Sequence, residues 1–334
     1  MKDKPKRYYD VVIIGAGPAG LECAKSLINS NFSVLLINKD KIHDKVCCNY
    51  LPPHIFKFLS KSVTNKNFSH LDVDYKGINT YFNFGKNKIY VTERKILFNW
   101  YMFQIKKSRN INYLYGNSVS KIHENFIELQ NGIKFGFKFL VGADGSSSLV
   151  RDYLGLSSER TMFAIQYPSK KSFKDIKIFI DTKVFPSAYG WIGVHKGCTY
   201  IGGGVSINDS KTFKKNLDNW IKKNNFDVKW NEVQACTLNC DYKGYKFGNV
   251  FLAGDAAGLV SALSGEGIYP AILSGRQVAL DILGKKENLL RTWLINKKFQ
   301  EILVKFMHNI PKNKSILDFL IISFGRIFYK LSLT

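Results

Sequence analysis

The stretch Val250-Phe-Leu-Ala-Gly-Asp255-Ala-Ala-Gly258, running on to Ser264-Gly265-Glu266-Gly267-Ile268, fixes the architecture once it is set beside Gly15-Ala-Gly17-Pro-Ala-Gly20 near the other end of the chain. Alone, each is a small-residue turn. In this order they read as the two ends of one dinucleotide site. Asp10-Val-Val-Ile-Ile14 is a short apolar run of the kind that forms a strand buried on both faces. Gly15 then allows a tight turn, Gly17 lets the backbone approach a pyrophosphate, and Gly20 lets the next helix pack on the sheet. Pro18 suits a first helical turn, where no amide donor is needed. Leu21, Ala24, Leu27 and Ile28 recur at helical spacing, and Ser33-Val-Leu-Leu-Ile37 supplies the second strand. The amides that open that helix are placed to hold phosphates.

The end of the second strand commonly carries an acid about 20 residues after the glycines, to bind ribose hydroxyls. Here the position is Asn38, an uncharged acceptor, so FAD is expected to be kept but held more weakly; Asp40 is the substitute. Lys138-Phe-Leu-Val-Gly142-Ala-Asp144-Gly145 is another strand ending in a small-residue turn, followed by Ser146-Ser-Ser148 and Arg151. Asp255 stands at a third strand-to-turn junction, where its carboxylate can accept hydrogen bonds from a ribityl chain. Gly265 and Gly267 precede an apolar helical stretch from Ile268 to Leu283. The positive pole at that helix start, aimed at a flavin, favours the anionic reduced form.

Together, the runs containing Gly15 to Gly20, Gly142 to Arg151 and Phe251 to Ile268 resemble the glutathione-reductase-type flavoproteins related to aromatic hydroxylases, and within them the geranylgeranyl reductase family. The resemblance covers most of residues 8 to 285. It implies a Cys-Gly-Gly loop beside the flavin, which here reads Cys47-Cys48-Asn49. It also implies a Tyr-x-Trp-x-Phe-Pro-Lys segment and a Gly-x-Gly lining a prenyl pocket. Tyr189, Trp191, Gly202 and Gly204 match, while Phe-Pro-Lys has become Gly193-Val194-His195. By the same resemblance Ala164-Ile165-Gln166-Tyr167 enters the substrate domain, Arg94 contacts the cofactor, and Val119 touches the adenine end through its backbone. The acid that usually follows the arginine is absent, with Phe98-Asn99 instead.

The implied reaction adds two hydrogens across an isoprenoid double bond, a hydride coming from reduced flavin and a proton from the protein. Cys47, Tyr189 and His195 are the candidate proton donors, and the sequence does not choose among them. Each also has an ordinary reading: a small loop residue, a pocket wall, a satisfied histidine. Cys236 and Cys240 lack a second ligand pair, so no metal site is expected. No second Gly-x-Gly-x-x-Gly follows a strand, so the reductant is expected from outside, as NAD(P)H or a small redox protein. Two other readings share the flavin motifs: a monooxygenase acting on an aromatic or lipid substrate, and a non-catalytic flavin or lipid binder.

The fold class expected is α/β, a Rossmann-type FAD-binding domain with an inserted antiparallel β-sheet substrate domain and a helical tail. Because the motifs lie at both ends, the FAD-binding domain must be discontinuous: residues 1–75, 93–160 and 245–285, with 76–92 and 161–244 forming the substrate domain and 286–334 the tail. The chain's 334 residues, 45% of them hydrophobic, suffice for two such units. Six cysteines in no evident framework and an N-terminus without a signal peptide point to the cytoplasm. The net charge of +23 raises the question of an anionic partner. Its lysines are scattered, which argues against nucleic acid. The segment from Ser315 to Leu331 is greasy but too short to span a bilayer and is interrupted by Asp318, Arg326 and Lys330. It is expected either to lie on the inner face of a membrane as an amphipathic helix or to cap the substrate pocket. Oligomeric state is not legible.

Overall fold

The computed structural model describes residues 7–40, 47–75, 77–195 and 197–309. Among them the strands form three sheets. The eight-stranded sheet is built on parallel strands in the order Val250–Leu252, Lys134–Gly142, Arg7–Ile14, Val34–Asn38 and Ile111–Tyr115. Its central strands are apolar without alternation because both faces are covered. Val11 and Ile13 enter one core with the helices Pro18–Ser26, Arg94–Ile105 and Ile268–Ile282, while Val12 and Ile14 enter a second core on the other face. The helices Pro18–Ser26 and Ile268–Ile282 cross so closely that a side chain at Gly275 would collide with the Ala19 carbonyl.

The seven-stranded sheet runs Gln234–Asn239, Thr161–Pro168, Cys198–Ser206, Gly190–His195, Lys177–Ile180, His70–Tyr75, Ile78–Asn83. It is antiparallel except where Lys177–Ile180 pairs in parallel with His70–Tyr75. The amphipathic helix Ser210–Lys223 covers one face, burying Phe213, Leu217, Trp220 and Ile221 at helical spacing into a third core with Ile192, Val194 and Phe185. The opposite face carries Trp191, Gly193 and His195, with Cys48 Sγ and the Tyr50 hydroxyl against it.

Two strands fall on other sides of the expected boundaries. The hairpin from His70 to Asn83 joins the seven-stranded sheet from before residue 76. Ile89–Thr92 instead pairs with Tyr50–Leu51 and Thr64–Phe68 in a separate three-stranded sheet. The Thr92 hydroxyl donates to the Val63 carbonyl at 2.7 Å and the Thr92 amide to the Asn49 carbonyl at 3.1 Å, which ties this strand to the loop after the second parallel strand. The described part of the expected tail holds the helix Leu290–Asn309. The greasy stretch from Ser315 to Leu331 lies outside the described residues. Among the described residues no helix is long and apolar enough to cross a membrane.

Candidate functional site

Three strand ends meet at one level. The Gly15 amide donates to Ile37 O, the Ala143 amide to Ile14 O and the Ala253 amide to Gly142 O, each at 2.8 Å. The turns that open at Gly15, Ala143 and Ala253 therefore lie side by side along the carboxyl ends of the parallel strands, the ligand-binding edge of such sheets. Gly15 has φ +103°, and a side chain there would strike the Ala143 carbonyl; one at Gly20 would strike the Gly15 carbonyl. The helix that follows starts at Pro18 with Gly17 as its N-cap and no side-chain cap. The helix Ile268–Ile282 starts after Gly267, again without a side-chain cap. Both helices thus present open amide ends with no acid in the first turn.

These features fit an FAD: glycine turns bare of side chains, two uncapped helix starts, and a buried Arg94 Nε that no described group satisfies. Arg94 begins the helix Arg94–Ile105. Asn38 accepts a hydrogen bond from the Ala16 amide at 3.2 Å and donates to the Asp40 carbonyl at 2.7 Å. It thereby organises the first turn. Val119 opens the strand Val119–Ile122 beside the second core. Asp255 is the second residue of the short turn Gly254–Ala257, with its Oδ1 3.7 Å from where a Gly267 Cβ would stand. Asp144 is differently occupied. Its Oδ1 accepts from Ser148 Oγ at 2.6 Å and its Oδ2 from the Leu149 and Val150 amides, so it caps the helix Leu149–Tyr153. Burial raises its pKa to about 6.

The loop after the second strand brings Cys48, rather than Cys47, to the seven-stranded sheet. Cys47 packs against the first core and accepts a hydrogen bond from the Asn49 amide. Cys48 Sγ stands 3.7 Å, and the Tyr50 hydroxyl 3.6 Å, from the place a Cβ on Gly193 would take. Asn49 has φ +55°, so an asparagine keeps the left-handed turn that a glycine would otherwise supply. The Tyr50 hydroxyl accepts a 3.0 Å hydrogen bond from the Val194 amide, and its ring meets His195 edge-on. His195 hydrogen-bonds the Cys48 backbone, is pushed toward its neutral form by burial, and leaves Nε2 buried without a partner.

Trp191 stands beside Tyr189 edge-on, with its Nε1 buried and unpartnered. Gly204 faces the Trp191 ring, whereas Gly202 lies tight against the neighbouring strand, where a side chain would strike Ile165 O. Gly202 is thus the place of closest strand approach, and Gly204 opens space beside the tryptophan. Tyr189 closes the arrangement: its hydroxyl donates to Ser264 O at 2.6 Å, joining the sheet to the loop ahead of the helix at Ile268. Burial raises the pKa values of Cys48, Tyr50 and Tyr189, so all three hold their protons.

Tyr50 and Glu266 were not among the residues singled out from sequence. The first follows the cysteine loop, and the second lies inside the quoted Gly265-Glu266-Gly267. A third feature was also missed. The helix Leu290–Asn309 grips three consecutive residues after the Asp255 turn. Trp293 Nε1 donates to Leu259 O at 3.3 Å, Lys297 Nζ to Val260 O at 2.8 Å, and Ser261 Oγ donates to Gln300 Oε1 at 2.6 Å. Positions 293, 297 and 300 share one helix face.

The family model for pyridine nucleotide-disulphide oxidoreductases matches residues 9–206. The chain belongs to this family. A digeranylgeranylglycerophospholipid reductase of Methanococcus vannielii is 26% identical over 93% of this chain and 87% of its own. In structure, the chain is similar to a geranylgeranyl bacteriochlorophyll reductase-like protein of Thermoplasma acidophilum, with TM-score 0.78, 18% identity and coverage of 94% of this chain and 90% of the other. It is also similar to the p-nitrophenol 4-monooxygenase of Pseudomonas putida, with TM-score 0.72, 15% identity and 98% and 99% coverage. These structures share the mixed α/β fold. With the family and the flavoprotein neighbours, the site is that of an FAD-dependent oxidoreductase.

Proposed function

We propose that this protein reduces carbon–carbon double bonds of a prenyl lipid, with the face of the seven-stranded sheet as the substrate wall. One observation carries the reading: the titratable side chains gathered on this sheet face are uncharged. Cys48, Tyr50 and Tyr189 keep their protons, His195 is held toward neutrality, and Trp191, Gly193 and Gly204 supply apolar surface and space. An isoprenoid chain carries no charge to pair, so such a wall suits it. The similarity to a relative named for a geranylgeranyl lipid, spread over most of both chains, supports the same substrate class.

FAD, when bound, supplies the two electrons and the hydride. Gly15, Gly17, Pro18 and Gly20 would hold its pyrophosphate, Asn38 and Val119 its adenosine end, Arg94 and Asp255 its middle, and Gly265, Gly267 and Ile268 its ring edge. The loop at Cys48 and the strand at Trp191 exclude water and fix the alkene at contact distance. Electrons enter from NAD(P)H or a small redox protein. The monooxygenase reading draws on the p-nitrophenol 4-monooxygenase sharing this fold. The two part on oxygen. Turnover with a chemical reductant and a geranylgeranyl lipid is expected to yield the hydrogenated lipid without oxygen. A product that appears only in air and contains an oxygen atom would favour the monooxygenase.

A further inference from the structure

We propose that Glu266 is the proton donor of this site, holding the proton that the second alkene carbon receives. The inference rests on the prenyl-reduction reading and names the group that reading leaves open. Glu266 sits between Gly265 and Gly267, directly ahead of the helix Ile268–Ile282. Its backbone is fixed: the amide donates to Ser264 Oγ at 3.3 Å, and the carbonyl accepts from the Ser261 amide at 3.0 Å. Its carboxyl Oε1 is shut off from solvent and has no hydrogen-bond partner. The titratable groups that face it are Tyr189, from the segment leading into the Gly190–His195 strand, and Tyr269, from the helix. Asp255 lies across Gly267. Among the described residues, burial alone sets its protonation, with no cation contributing.

A carboxylate left unpaired in such a place is costly, so the group keeps its proton. Burial raises its pKa to about 7. That value separates it from its neighbours. A donor works best when its pKa lies near the working pH. The Cys48 thiol and the Tyr50 and Tyr189 phenols are pushed far above it, and the Tyr189 proton is engaged on Ser264 O. His195, driven toward neutrality, already hydrogen-bonds the Cys48 backbone. Asp144 has both oxygens occupied by the helix it caps.

The step balances with the reduced flavin already required. The alkene π bond breaks. One carbon gains the hydride, the Glu266 O–H bond breaks, and its proton forms the second C–H bond. The carboxylate then recovers a proton from water.

Two measurements test this. Infrared difference titration of the protein, without and with bound flavin, is expected to show a protonated carboxyl band that fades as pH passes about 7 and is missing in Glu266→Gln. A band unchanged by that substitution, or none titrating in that range in the wild-type protein, overturns the inference. In the second, flavin is reduced anaerobically and mixed with geranylgeranyl lipid. Glu266→Gln is expected to slow lipid-driven reoxidation by roughly a hundredfold or more, while dithionite reduction and reaction with oxygen keep their wild-type rates. Equal reoxidation by wild type and variant overturns the Glu266 role alone. A wild-type protein that never reoxidises with the lipid overturns the prenyl reading instead, and the infrared result still decides whether Glu266 holds a proton. If Glu266→Gln loses its flavin, the infrared titrations of the flavin-free wild type and variant stand as the test, a band common to both overturning the inference.

Discussion

The Tyr189 hydroxyl donates a 2.6 Å hydrogen bond to the carbonyl of Ser264, a residue 75 positions later in the chain. It fastens the seven-stranded sheet to the loop that delivers Gly265, Glu266 and Gly267. The same ring stands edge-on to Trp191, so one tyrosine touches both the sheet face and that loop. Tyr189→Phe removes only the hydrogen bond, a loss of about 1 kcal/mol. Its FAD dissociation constant, read by flavin fluorescence titration, is expected to rise roughly fivefold. An unchanged constant would mean that the strap does not reach the cofactor.

Lys297 is 2% exposed and donates to the carbonyls of Cys240 and Val260, each at 2.8 Å, with Glu301 beside it at 3.1 Å. Lys297→Met strands both carbonyls, while Glu301 keeps its 2.7 Å ion pair with Arg160. We expect a loss of about 3 kcal/mol in urea unfolding, with faster FAD release because the Leu259–Ser261 loop loses one of its three grips. A variant as stable as the parent would show the clamp to be redundant.

Cys48 and Cys47 should differ in chemistry as they differ in direction. Burial, reinforced by Cys47 and Cys236, disfavours the Cys48 thiolate. The thiolate is the species that reacts with alkylating agents. Iodoacetamide at neutral pH is therefore expected to leave Cys48 unmodified in the folded protein, and peptide mapping after labelling checks this. Rapid modification of Cys48 would contradict the uncharged wall described above.

Buried acids give the apoprotein a pH signature. Glu266 titrates near 7 when folded against an ordinary 4.5, and Asp144 near 6 against 3.8. Both bind protons that the unfolded chain has released. Their stabilising effect is full below the ordinary values and is lost as pH rises through the folded ones. His54, wedged against Tyr269 and lowered from 6.5 to about 4, acts oppositely, its contribution fading as pH falls through that range. Glu266→Gln is expected to flatten the decline between about pH 4.5 and 7 by up to about 3 kcal/mol, measured as denaturation midpoints across pH. A decline as steep as the parent's would show that Glu266 ionises freely.

What the sequence made readable was whatever depends on local backbone need. Gly15 and Gly20 are required by carbonyls that approach them, and such requirements appear directly as residue type. The strand ends at Ile14, Gly142 and Leu252 were marked by apolar runs, because a sheet covered on both faces leaves no alternation to confuse them. Which of two adjacent cysteines meets the seven-stranded sheet depends instead on the path of the loop that packs against Gly193. The hairpin from His70 to Asn83 was only half visible, since Ile78–Asn83 is an open edge with nearly every side chain exposed and so no period to read. Glu266 was masked by its own motif. Between two glycines it reads as a turn residue, and only the folded chain shows its Oε1 shut off from solvent without a partner. The grip of Trp293, Lys297 and Gln300 is tertiary throughout.

The most direct test of prenyl reduction is a single anaerobic turnover. Flavin bound to the protein is reduced with dithionite, excess reductant is removed, a geranylgeranyl lipid is added, and absorbance and lipid mass are followed together. The account predicts that flavin reoxidises and that the lipid gains two hydrogen atoms for each flavin oxidised. Flavin that stays reduced beside the lipid, then reoxidises on admitting air while an oxygen atom enters a substrate, would contradict it.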